Sequence, residues 1–277
     1  MMRQNLKAWS DIMDHPLSGR NSKPRHTGIT MIMDKGLGLM QTRDILDLAS
    51  DYIDFIKLGF GTSAFYTPEL LERKLELVKS YGVEIYPGGT FMEVAVLQNK
   101  VDAYIARAKT LGFSYVEVSD GTISISDEMR AKLIQKSLAA GLHVITEVGK
   151  KDPTETVPKM KAFRQIETDL RNGAFKVILE GRESGVNIGI YDSRGQVRED
   201  ELDQLLAGIE DPSKIIWEAP LKNQQEELIL KFGPNVNLGN IQPGDILSLE
   251  ALRVGLRGDT LKACLSNVNL KSTLQIG

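Results

Sequence analysis

The chain has 277 residues, 42% of them hydrophobic and 26% charged, an ordinary balance for a soluble globular protein. Its 34 basic and 37 acidic residues leave a net charge of −3, which offers neither a basic stripe for nucleic acid nor a polybasic surface for membranes. A single cysteine, Cys264, excludes an internal disulfide framework. No apolar run is long enough to span a bilayer and Met1 to Asp14 lacks the apolar core of a signal peptide, so the expected location is the cytoplasm.

Residues 1–26 are polar and read as a lead-in: a short amphipathic stretch, Leu6 to Met13, then a loop carrying Arg20, Lys23 and Arg25. The first strand is Thr27 to Asp34, followed by Lys35-Gly36-Leu37-Gly38 and a helix over Thr42 to Tyr52. The second strand, Phe55 to Gly61, leads to a helix with Thr67 as N-cap, Pro68 at its first position and Gly82 past its end. The third strand, Val83 to Pro87, runs into Gly88-Gly89-Thr90, and its helix stops near Leu111 at Gly112. The fourth, Tyr115 to Asp120, precedes a helix between Ser126 and Gly141.

The fifth strand is His143 to Val148, ending in Thr146-Glu147-Val148-Gly149-Lys150-Lys151. Period-two alternation puts Glu147, Gly149 and Lys151 on one face and Lys150 on the other. Its helix carries Val157, Met160, Phe163, Ile166 and Leu170 on one apolar face, closed by Asn172-Gly173. The sixth strand, Phe175 to Glu180, opens a long Gly-rich loop, Gly181 to Val197, expected to close over substrate as a lid. The seventh is Lys214 to Pro220 and the eighth Asn235 to Ile241, with a last helix from Pro243 to Val254.

Eight strands alternating with helices imply a parallel sheet, and eight βα repeats in this length imply a single closed (β/α)8 TIM barrel of the α/β class. An open doubly wound sheet is the competing architecture. The expected organisation is a 1–26 lead-in, a 27–260 barrel and a 261–277 tail.

Polar residues end nearly every strand, and in a barrel those ends converge on one face. The candidates are Asp34 and Lys35, Lys57, Glu117 and Asp120, Glu147 and Lys151, Glu180 and Arg182, Glu218, and Asn237 with Asn240. Of His15, His26 and His143, none has a second histidine or a cysteine three or four residues away, so zinc is not indicated. His143, opening its strand, belongs to the opposite end of the barrel. Carboxylates suit Mg²⁺ or Mn²⁺, and Glu147, Glu180 and Glu218, on three consecutive strands, can meet on one ion. Asp34, Glu117, Asp120 and Asn237 stand as possible supporting groups around it. Lys35, Lys57, Lys151 and Arg182 form a cationic half for a small, phosphorylated anion. Gly88-Gly89 and Gly36 to Gly38 could lend backbone N–H groups to that anion. Gly59 to Ala64 matches the dinucleotide fingerprint by spacing, but the following helix starts too late to hold a pyrophosphate.

Taken together, these stretches resemble the phosphosulfolactate synthase family. The runs that carry the resemblance are Asp34-Lys35-Gly36, Lys57 to Ala64, Tyr86 to Thr90, Glu117 to Gly121, Thr146 to Lys151, Glu180 to Gly185, Glu218-Ala219-Pro220 and Leu256 to Thr260. The resemblance implies a (β/α)8 fold, Mg²⁺, and addition of sulfite to phosphoenolpyruvate to give (2R)-2-O-phospho-3-sulfolactate, in methanogens the first step toward coenzyme M. It also points to Lys151 as the acid that protonates C2, and a lysine near a metal and other cations is expected to have its pKa lowered toward neutrality. The lead-in is longer than in the compact archaeal form. The expected partners are small molecules, phosphoenolpyruvate and sulfite, within a homo-oligomer. Competing readings are another Mg²⁺-dependent barrel lyase or aldolase on a small phosphorylated or carboxylate substrate, and a barrel that only binds.

Overall fold

The structure is a computed structural model, and it describes residues 7–151 and 158–267. Eight strands are present: β1 (Thr30–Asp34), β2 (Phe55–Leu58), β3 (Glu84–Pro87), β4 (Tyr115–Val118), β5 (His143–Val148), β6 (Lys176–Leu179), β7 (Ile215–Glu218) and β8 (Leu238–Ile241). The helices are α1 (Leu39–Ala49), α2 (Pro68–Ser80), α3 (Gly89–Leu97), α4 (Val101–Leu111), α5 (Asp127–Ala139), α6 (Lys159–Arg171), α7 (Glu199–Leu206), α8 (Lys222–Phe232), α9 (Ile246–Arg253) and α10 (Gly258–Asn267). The strands pair in parallel in the order β3-β2-β1-β8-β7-β6-β5-β4. β3 and β4 lie side by side, yet no backbone ladder joins them among the described residues. The result is a nearly closed (β/α)8 barrel. The doubly wound alternative is excluded, because β1 sits between β2 and β8 and the sheet rolls round on itself.

Alternation along each strand separates two cores. Ile56, Leu58, Ile85, Val116, Val118, Val144, Val148, Val177 and Trp217 face the helices. Ile29, Met31, Phe55, Tyr86, Ile145, Ile178 and Ile216 fill the barrel interior, with Tyr115 and Phe175 packed against them. The barrel is therefore a packed column and leaves room only at its C-terminal mouth.

Helix boundaries follow local chemistry. The Thr67 side chain accepts from Leu70 N–H ahead of Pro68, and Ser126 accepts from Met129 N–H, each satisfying an amide that has no partner within the helix. The strands are shorter than their apolar runs: Gly59–Phe65 after β2 is a 3-10 segment, with Phe60 and Gly61 in left-handed conformation. The single helix expected after β3 is two, α3 and α4, broken at Asn99, whose φ is 55°. On α6, Phe163, Ile166 and Leu170 face the core as expected, whereas Met160 is exposed and Val157 lies outside the described residues. The Leu6 to Met13 stretch forms turns where it is described, not a helix. α10 runs across the expected boundary at 260.

The lead-in covers the N-terminal end of the barrel. Arg20 pairs with Glu250 at 2.9 Å, Arg25 with Asp54 at 2.9 Å, and Lys23 donates to the Ser50 and Ile53 carbonyls.

Candidate active site

At the C-terminal mouth, period-two alternation turns one more residue inward from each of five strands or strand ends: Lys57, Glu117, Glu147, Glu180 and Glu218. Lys57 sits among the acids. Its Nζ lies 2.8 Å from Glu147, 3.0 Å from Glu117 and 3.4 Å from Glu218, all four side chains being buried. Lys151 reaches the same cluster from the end of β5, donating to Thr90 Oγ1 at 2.7 Å and approaching Glu147 Oε1 at 3.3 Å. All of these groups but Glu117 line a cavity of about 540 Å³ with Arg182, Glu183, Ser184, Asn240 and Phe60.

Two glycines let the carboxylates close in. A Cβ on Gly149 (φ 137°) would meet Glu180 Cβ at 2.5 Å, and one on Gly181 would meet the Glu218 carbonyl at 2.6 Å. Gly181 N–H donates to Glu218 Oε2 at 3.0 Å and Arg182 N–H to Glu180 Oε1 at 2.7 Å. Ligand oxygens of Glu147, Glu180 and Glu218 consequently come within 4.8 Å of one another.

Burial disfavours every charge here, and the neighbours decide which survive. Burial works against the Lys57 ammonium, but Glu117, Glu147 and Glu218 outweigh it and hold the amine charged. Burial likewise opposes ionisation of Glu147, and Lys57 and Lys151 win, holding its carboxyl well below the usual range. Glu180 goes the other way: burial, then the charges of Glu147 and Glu218, push it well above a normal carboxylate. Burial pushes Glu117 up to about 7. For Lys151, burial lowers the pKa but Glu147 and Glu180 more than reverse it. Among the protein's own groups the acids outweigh the cations around Lys151, so the lowering expected from a metal and other cations is not produced by the side chains alone.

The three glutamates fit a hard divalent cation. They offer converging oxygens, and Glu180 Oε2 is buried with no hydrogen-bond partner among the described residues. Such an orphan is costly unless a ligand completes it.

Other sequence candidates are placed elsewhere. Asp34 turns away from the cavity to the buried Lys74, at 2.6 Å, and accepts from Gly36 and Leu37 N–H. Asp120 pairs with Arg130 at 2.9 Å, behind the strand. Asn237 lies at the opposite end of the barrel, accepting from Ile29 N–H and donating to the Ser213 and Ile215 carbonyls; it precedes β8, so it shares a face with the cluster but not a height. Lys35 pairs with Glu183 across the mouth. The N–H groups of the glycine turns are taken up within the protein: Gly89 N–H goes to Glu117 at 2.7 Å, Gly88 N–H to the Leu58 carbonyl and Gly38 N–H to Gln41. Lys57, expected to hold an anion, is committed to three carboxylates, whereas the Arg182 guanidinium has no partner among the described residues and lines the cavity. The expected lid is instead an anchored wall. Gln224 donates to the Gly185 and Gly195 carbonyls, Val197 N–H donates to Glu227, and Tyr191, buried, donates to the Glu218 carbonyl at 2.6 Å. His143 is at the far end against Tyr115, as expected.

Two residues of the site, Thr90 and Arg130, have no role assigned from sequence. Thr90 ends the conspicuous Gly88-Gly89-Thr90 run, a signal able to flag it. Arg130, on a helix, carries none; it binds Asp169 at 2.7 Å and donates to the Glu147 carbonyl at 2.8 Å.

The sequence profile of the (2R)-phospho-3-sulfolactate synthase (ComA) family matches residues 18–259. The chain belongs to the phosphosulfolactate synthase family. It is 47% identical over 253 residues to the phosphosulfolactate synthase of Methanothermobacter thermautotrophicus, covering 91% of this chain and 96% of that protein. It is 39% identical over 244 residues to that of Bacillus subtilis, covering 87% and 95%. Membership makes the chain an enzyme of this family. The fold itself is shared more widely. 3-Hexulose-6-phosphate synthase from Salmonella typhimurium superposes with a TM-score of 0.53 at 14% identity, over 87% of this chain and 100% of that one. Among the described residues, no helix is long and apolar enough to cross a membrane.

Proposed function

We propose that the chain joins sulfite to phosphoenolpyruvate, giving (2R)-2-O-phospho-3-sulfolactate, with Mg²⁺ held by Glu147, Glu180 and Glu218. The observation that carries this reading is the convergence of those three buried carboxylates within 4.8 Å of one another, next to a lysine bonded to one of them. The cluster sets four glutamates against two lysines, and a bound cation would add the positive charge that favours a polyanionic substrate. Mg²⁺ there would supply positive charge for the substrate carboxylate as electron density builds on it.

The protein's own groups do the rest. Arg182 takes the phosphate, since its planar fork matches two phosphate oxygens and no other group occupies it among the described residues. Sulfite needs no activation: its sulfur lone pair attacks C3, the C–S bond forms, and the C2=C3 pair shifts onto C2 and the carboxylate. Lys151 Nζ then gives a proton to C2, held in place by Thr90 and Glu147. Lys57 holds Glu117, Glu147 and Glu218 together and keeps Glu147 ionised. The packed interior closes the floor of the cavity, and the anchored 181–197 segment forms a wall beside it.

The test is incubation of the purified protein with phosphoenolpyruvate, sulfite and Mg²⁺, with mass spectrometry for the sulfonated phosphoester. Absence of product overturns the reading. Irreversible trapping by borohydride in the presence of substrate would point to a Schiff-base aldolase instead.

A further inference from the structure

Three residues other than glycine that line the cavity have left-handed backbones: Phe60 (φ 55°), Arg182 (φ 56°) and Asn240 (φ 56°). Two of them touch. Asn240 Nδ2, from β8, donates to the Arg182 backbone carbonyl at 3.2 Å, although β7 separates β8 from β6 in the sheet. Asn240 is buried, and its Oδ1 has no hydrogen-bond partner among the described residues. The bond to Arg182 is therefore the one its amide makes there, and it fixes which end of the amide carries the nitrogen, because a carbonyl can only accept.

A left-handed backbone is where glycine sits at no steric cost, and asparagine is among the few alternatives. Position 240 carries a side chain despite that, and the side chain is spent on one contact. Arg182 itself has a long side chain in the same disfavoured region, which persists only where the surroundings over-determine it. Its peptide is held on three sides: Gly181 N–H on Glu218 Oε2, Arg182 N–H on Glu180 Oε1, and Asn240 on the Arg182 carbonyl. Two of those holds come from cation-site carboxylates, and Asn240 supplies the third.

We propose that Asn240 is a positioning residue for Arg182: by holding the Arg182 carbonyl it locks the left-handed turn that aims the guanidinium into the cavity. This rests on the reading that Arg182 grips the substrate phosphate. Asn240 then acts on phosphoenolpyruvate binding, and neither on the cation nor on the proton transfer.

The test uses Asn240→Gly, Arg182→Ala and the double variant, in the full-length protein. Glycine accepts the φ of 56°, so the fold is kept and only the anchoring amide is lost. Asn240→Gly should raise the KM for phosphoenolpyruvate about tenfold, leave kcat and the KM for sulfite near wild type, and leave Mg²⁺ titration by calorimetry unchanged. The double variant should be no worse than Arg182→Ala alone, because the two act through one contact. An unchanged KM in Asn240→Gly, with Arg182→Ala impaired, overturns the inference. So do strictly additive effects, or a loss of Mg²⁺ affinity in Asn240→Gly, which would place Asn240 at the cation. If Arg182→Ala itself leaves the KM unchanged, the phosphate role of Arg182 falls, and this inference with it.

Discussion

Glu180 is the residue at which the charge balance of the cavity is decided. It is pushed toward its neutral form by burial and by Glu147 and Glu218, so the protein's own groups oppose its charge and a cation would favour it. Glu180→Gln should therefore abolish Mg²⁺ binding by calorimetry while the metal-free variant melts no lower than the wild type. A variant that still binds Mg²⁺ with unchanged affinity would remove Glu180 from the ligand set. Lys150 and Lys151 make a sharper pair. Lys150 donates to the Asp120 and Ile123 carbonyls on the outer side of the strand end, whereas Lys151 meets Thr90 and Glu147. Lys151→Met is expected to lower kcat by about 10²–10⁴, the range for a lost general acid, with a smaller effect on KM. Lys150→Met should keep kcat and lose some thermal stability. The reverse result would assign the proton donor to the wrong face of β5. The alternation that separates these lysines is legible in the amino-acid sequence, because a strand buried on both sides leaves its register visible wherever a charge interrupts it. The fate of Lys57 is not: its partners are 60 to 161 positions away in the chain, and no local pattern records which charge it will meet.

Among the elements, β5 with α5 and α6 behind it is the best supported part of the site. Arg130 on α5 binds Asp169 on α6, then reaches through to the Glu147 carbonyl and to Asp120. It therefore ties two helices to the strand that carries the cluster. Removing one member of a buried pair leaves the other charge uncompensated, at about 3–5 kcal/mol. Arg130→Met should show that loss in urea unfolding and lower activity as well, since β5 would lose its outer brace; a loss of less than about 1 kcal/mol would mean the pair is solvated. The elements themselves are legible because each helix carries its own start and stop, as at Thr67-Pro68 and Gly82 or Ser126 and Gly141. Two features are not. The break between α3 and α4 falls at Asn99, which has no proline or glycine beside it. The segment 181–197 reads as a mobile loop from its glycines, yet Gln224 and Glu227, on an element a whole repeat later, fasten it down.

For the whole molecule, the two ends of the barrel hold a buried lysine in different surroundings: Lys57 meets acids at the C-terminal mouth, Lys176 meets carbonyls at the other end. The C-terminal mouth gathers carboxylates, while the N-terminal end holds Lys176, which donates to the His26 and Ser213 carbonyls and has no ion pair among the described residues. Burial, helped by Lys214, lowers the Lys176 pKa to about 8 from 10.5. Between those two values the unfolded chain holds a proton there that the folded chain does not, so stability from this group rises with pH across that window. Comparing melting of the wild type with Lys176→Met from about pH 7 to pH 10.5 should show that rise in the wild type and its absence in the variant; parallel curves would refute it. The seam between β3 and β4 has a different consequence. A barrel stitched all round has no place to begin coming apart, but this one is a rolled sheet with two free margins. At its upper end the margins are clasped by Glu117, which accepts from Gly89 N–H beyond β3 and pairs with Lys57 on β2. Solvent deuterium should therefore enter along β4 ahead of β5 and β6, and Glu117→Ala should hasten it there first. The acid that steadies the central Lys57 is also the fastener that keeps the cylinder rolled.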